Sequence, residues 1–107
     1  SNVPEAERIL ARFNTTASQL LAENIRFIKI CPTPDGRGAH MVLDTDQGLV
    51  TVIFMPRTDV TDGQSVSFDD MHAVLVSLDH GSAAVIADTT QAIENLPDLL
   101  RQSLVTS

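Results

Sequence analysis

The chain has 107 residues, 43% of them hydrophobic, with 14 acidic against 7 basic side chains and a net charge of −7. This length suits one domain with one core. The acidic balance removes the Lys and Arg contacts on which nucleic-acid affinity depends, the lack of Trp and Tyr removes most base-stacking platforms, and the single cysteine, Cys31, excludes an internal disulfide framework or a Cys-rich zinc site.

Pro4, followed by Ile9, Phe13, Ala17 and Leu20 at helical spacing, predicts a first helix over about Pro4 to Glu23. Asn2 is its expected cap, with Glu5 in the capping-box position, and Asn24 is its stop. Ile25 to Ile30 reads as a strand ended by Cys31-Pro32, and the turn-forming run Thr33 to Gly38 reads as a loop. His40 to Asp44 and Leu49 to Met55 then form a hairpin across Thr45-Asp46-Gln47-Gly48. In the second of these strands Val50, Val52 and Phe54 point one way and Leu49, Ile53 and Met55 the other, which places it in the interior of a sheet. The polar stretch Pro56 to Asp70 holds a short edge strand around Val66 and Phe68. Met71 to Leu78 and Ala83 to Ala87 form another hairpin across Asp79-His80-Gly81-Ser82. Thr89 or Thr90 caps a closing segment in which Ile93, Leu96, Leu100 and Leu104 make the buried stripe. Pro97 interrupts it, predicting a short turn through Asn95 and a restart with Pro97 first and Asp98 near the positive end. The expected fold is therefore one α+β domain over residues 1–107, with an N-terminal helix, an antiparallel sheet of about four to six strands in successive hairpins, and a C-terminal helix.

Ile28-Lys29-Ile30-Cys31-Pro32, His40-Met41-Val42-Leu43 and Gly48-Leu49-Val50-Thr51-Val52-Ile53-Phe54-Met55-Pro56 together resemble part of a bacterial family of uncharacterised membrane proteins. The similarity is strongest from Ile28 to Pro56 and looser from Gly81 to Leu100. In that family an anti-sigma-factor-like cytoplasmic part precedes one inner-membrane span, and the remainder lies outside. The resemblance implies that this chain is the extracytoplasmic C-terminal piece of such a regulator. It would lie on the periplasmic side of the inner membrane, soluble by itself and without membrane contact of its own. The family assigns no catalytic residues, so none carries over.

Cys31, His40, Met41, Met55, Met71 and His72 combine thiolate, imidazole and thioether, a set suited to copper. Their spacing matches no compact metal motif, and methionine beside a strand more often fills core gaps. Cys31 is a redox sensor only if exposed beside positive charge, which Lys29 and Arg37 would supply; as the continuation of an apolar strand it reads better as structural. His40 shares a strand face with Asp44 and so has the ingredients of a pH switch or base, although a strand-end position explains it as well. Asp44-Thr45-Asp46-Gln47-Gly48 begins like a calcium loop but lacks the distal bidentate acid. With no nucleophile elbow and no phosphate loop, the chain reads as a non-enzyme needing no cofactor.

The expected function is that of an extracytoplasmic sensor or protein-interaction domain. The alternative is small-ligand, heme or copper binding, or thiol redox sensing, through Cys31 and His40. Arg57, next to the acidic run Asp59 to Asp70, is a third weak candidate for a binding role. The expected contact surface is a strand edge or a sheet face that the helices leave open. A protein partner is expected, and a homodimer fits a chain whose apolar strands outnumber what two modest helices can cover.

Overall fold

A computed structural model describes residues 2–107. The N-terminal stripe folds as α1 (Val3–Ala11), burying Ala6, Ile9 and Leu10. The helix does not run on to Glu23. Asn14 adopts a left-handed φ of 54°, Thr15–Ala17 form strand β1, and helix returns only as α2 (Gln19–Glu23). The local residues permit the break, since two successive β-branched threonines lose rotamer freedom in a helix while Asn tolerates the left-handed state that ends one. Ser18 then caps α2 by accepting the Leu21 N–H at 3.2 Å. Leu20, on the extrapolated stripe, is 61% exposed. Asn2 makes no capping bond; its Nδ2 donates to the carbonyls of Ile25 and Arg26, and Glu5 pairs with Arg8 at 2.6 Å.

The sheet has six antiparallel strands, β2 (Ile25–Thr33), β3 (Gly36–Thr45), β4 (Gly48–Met55), β5 (Ser65–Phe68), β6 (Met71–Ser77) and β7 (Ser82–Ala87), in the spatial order β2-β3-β4-β7-β6-β5. Two meanders of three strands thus meet where β4 pairs β7. Leu49 to Met55 lies in the interior as expected, and the edge strand around Val66 and Phe68 is present. Cys31-Pro32 does not end the first strand. Pro32 is tolerated because β2 is an edge strand, where a missing N–H need not break a ladder. The expected loop from Thr33 to Gly38 shrinks to a turn at Pro34-Asp35, with Gly36 at φ 137° and Gly38 inside β3.

The closing segment divides as expected around Pro97 into α3 (Thr90–Ile93) and α4 (Leu96–Ser103), although Pro97 is the second helical residue and not the first. Thr89 supplies the cap, its Oγ1 accepting the Ala92 N–H at 3.2 Å. Leu104 is buried as the stripe requires, but it belongs to β8 (Leu104–Thr106), which pairs with β1. Thr15 and Thr106 hydroxyls meet at 2.9 Å across this small ladder, so both chain ends are fastened together.

All four helices contribute to a single cluster on one side of the sheet. Ile9, Leu10, Leu21, Ile93, Leu96 and Leu100 pack with Ile28, Met41, Leu43, Val52, Phe54 and Val85. Phe54 is fully buried and meets Phe13 edge-on, ring centroids 6.2 Å apart. Among the described residues no helix is long and apolar enough to cross a membrane.

Candidate binding surface

Side chains alternate across a strand, so the inward set Met41, Leu43, Val50, Val52 and Phe54 forces the intervening residues onto the other face. The strand registers arrange these in rows. One row reads Phe27, Val42, Thr51, Ile86, Ala73 and Val66 from edge to edge; the next reads Lys29, His40, Ile53, Ala84 and Leu75. Leu49, Met71 and Phe68 extend the apolar surface at one end. No helix packs on this side. Every member of both rows is exposed or half-exposed; Phe27, Val66 and Phe68 are each between 45% and 49% exposed, and Leu49 is 52% exposed. Isolated exposed apolar residues are ordinary on proteins, but a continuous sheet face of them is not.

At the opposite end the face is closed by the loop after β4. Ser82, wholly buried, donates its hydroxyl to the Thr58 carbonyl at 2.6 Å, and neighbouring Met55 is buried beneath the chain there. The same loop is held farther along by Asp62, whose Oδ1 accepts both the Ser77 N–H at 2.8 Å and Arg101 Nη2 at 2.6 Å. The Ser77 N–H and the Arg101 guanidinium hold the Asp62 carboxyl below the usual carboxylate range.

The two sheet edges are poor docking strands. β2 carries Pro32 and a bulge between Ile25 and Phe27, while β5 is four residues long and runs into Asp69-Asp70, both at positive φ. Prolines, bulges, charge and shortness all discourage a further strand from joining.

Cys31 and His40 occupy this open side, on neighbouring strands but one row apart, since Cys31 lies opposite Gly38 and His40 opposite Lys29. The Cys31 thiol is half-buried, and burial pushes its pKa up more than Lys29 pulls it down. That is the reverse of an activated thiolate. His40 meets the Phe27 ring edge-on at 6.1 Å, and Lys29 Nζ sits 5.9 Å from the centre of the same ring. Met41 points into the core on the other face, Met55 is closed off at the loop end, and Met71 sits at the far end of the sheet beside His72. The sulfur and imidazole groups therefore do not converge, and among the described residues no three of His, Cys, Asp and Glu gather into a metal-sized cluster. Arg57 is exposed beyond β4, its side chain alongside Gly36 in the β2–β3 turn.

Ser67 Oγ and His72 Nδ1 approach to 3.5 Å across β5 and β6, at the outer limit of hydrogen bonding. Among the described residues no carboxylate hydrogen-bonds the other His72 nitrogen, so the pair lacks the orienting group that a hydrolytic site uses. The residues that dominate the surface, Phe27, Val42, Ile53, Ile86 and Leu75, belong to no chemical motif. Their signal in the sequence is the second apolar phase within strands that already have one.

A family model described as protein of unknown function (DUF3379) matches residues 3–104. No curated protein and no solved structure matches the chain.

Proposed function

The chain belongs to this family of proteins of unknown function, and on that premise we propose that it is a non-enzymatic protein-interaction domain that binds through its open sheet face. The observation that carries this reading is a row crossing all six strands that is apolar except at Thr51, beside a second crossing five that is apolar from Ile53 to Leu75, with no helix over them. Burying apolar area is worth roughly 25 cal/mol per Å² before the costs of association are subtracted, so a face of this kind gains more from a protein surface than from water. The resemblance to anti-sigma-factor-like membrane proteins favours a place outside the inner membrane, where occupancy of the face by a partner would shift the state of an attached regulator. The alternative reading, metal, heme or thiol chemistry at Cys31 and His40, gains no support from a thiol whose pKa burial raises, from a cysteine and a histidine one row apart, or from Met41 on the other face.

Site-specific photo-crosslinking in the full-length protein in its own cells tests the proposal. A benzophenone side chain at Val42 is expected to give a discrete protein adduct, whereas one at Glu94 on the helical side is not. Equal adducts from both positions, or none from Val42, would remove the proposal.

A further inference from the structure

We propose that the occupant of the open face is a second copy of this chain, the two sheets packing face to face about a two-fold axis that runs parallel to the strands between β4 and β7. This rests on the reading of that face as the binding surface and adds the identity of the partner.

Size is the first support. Six strands about 4.8 Å apart, read over about six residues of about 3.3 Å rise, frame a flat footprint of roughly 550 Å² per copy. Side-chain relief adds to this, bringing the pair to about 1,200 Å² in total, where stable interfaces begin. The second support is self-complementarity, which a two-fold interface demands because each patch must fit itself. The strand order is three plus three, with β4 and β7 at the centre. An axis parallel to the strands lays β2 over β5, β3 over β6 and β4 over β7 of the other copy. Within the rows this sets Phe27 over Val66, Val42 over Ala73, Ile53 over Ala84 and Ile86 over Thr51. In each of these four a larger side chain meets a smaller one, the arrangement that lets two sheets about 10 Å apart interdigitate, while His40 lies over Leu75. An axis across the strands would instead set β2 on β2 and β5 on β5, stacking like edges and putting both Lys29 ammonium groups at the same edge of the pair. The third support is charge. Lys29 is the one formally charged residue in the two rows, and it stands at the sheet edge; Asp44 of β3 lies beyond them on the same face, opposite Leu49 and paired with Arg26, and the other acidic residues lie in or beside turns, loops and helices. Edge-to-edge pairing is discouraged by Pro32, the β2 bulge and the short β5, which leaves the face as the route to association.

Sedimentation equilibrium over a range of concentrations tests this, with a species of twice the 11.6 kDa chain mass expected. Because each chain carries −7, added salt is expected to tighten the pair by screening repulsion between copies. Thr51→Arg and Ile53→Glu each place two charges in the symmetric interface and are expected to weaken association on the order of a hundredfold. Glu94→Gln, on the helical side, is expected to leave it unchanged. Thr51 is already polar and half-exposed, so circular dichroism of T51R should match the wild type and separate loss of pairing from loss of fold. In a Cys31→Ser background, mixed Phe27→Cys and Val66→Cys chains are expected to crosslink to each other with a short bismaleimide, and Phe27→Cys alone is not. Self-crosslinking of F27C would overturn the axis. A wild type that stays monomeric, or a dimer that survives both T51R and I53E, would overturn the pairing. A monomer whose Val42 photo-adduct is a different protein would refute self-association while leaving the interaction role standing; no Val42 adduct and no dimer would refute both.

Discussion

Asp62 holds the long loop between β4 and β5 by two contacts, one to backbone at Ser77 and one to Arg101 of α4. Its carboxyl pKa is lower folded than unfolded, so its contribution is present above the unfolded value of about 4 and is lost as pH falls through the folded value. Asp62→Asn is therefore expected to lower the melting temperature at pH 7, with the gap to wild type closing in acid; a gap constant down to pH 3 would contradict this. Gly81 poses a sharper constraint. Its φ is +76°, and a Cβ there would stand 2.4 Å from the Met55 carbonyl oxygen and 2.7 Å from Pro56 backbone atoms. Gly81→Ala should cost about 2 kcal/mol or more in urea unfolding, since both the conformation and the space are refused. Ser82→Ala, which removes only the bond to the Thr58 carbonyl, should cost about 1 kcal/mol. At Cys31 the raised pKa predicts slower alkylation by iodoacetamide at pH 8 than an unstructured cysteine peptide shows; a faster rate would revive a thiol role.

Among the elements, the strands were legible because short apolar, Val- and Ile-rich runs bounded by turn formers mark β3, β4, β6 and β7 whatever their order in space. The turn at Gly48 and the helix restart around Pro97 were legible for a similar reason, since each rests on backbone chemistry confined to a few residues. The first helix was not. Ile9, Phe13, Ala17 and Leu20 keep helical spacing, yet the segment from Asn14 to Ala17 is claimed by Leu104 to Thr106 from the other end of the chain. No local pattern announces a ladder between residues about ninety positions apart, and tertiary pairing overrode the period. This ladder also yields an element-scale expectation. Deleting residues 104–107 removes buried Leu104 and the partner of the Thr15 hydroxyl, and should speed amide hydrogen exchange in β1 and α2 well before it does so in β4.

At the scale of the whole molecule, the sheet has one face buried under α1 to α4 and one left open. The sequence already carried half of this, since Ile53 and Ile86 point opposite to Val52 and Val85 and imply that something apolar must approach from the second side. Which face the helices choose was out of reach, because helix placement depends on connections and strand order that a single chain does not display. The chemical candidates fared differently. Cys31 and His40 do share the open side, but Met41 next to His40 must point the other way on a strand, so a site drawn from consecutive residues was split by the pleat itself. What the fold presents on its open side is area.

Carbene footprinting of the protein in its own cells, compared with the isolated chain at high dilution, tests that claim most directly. We expect Phe27, Val42, Ile53 and Leu75 to be protected in the cells while Glu94 and Gln102 on the helical side label equally in both samples. Equal labelling of the sheet face in both samples would mean that nothing occupies it, and the interaction role would fall.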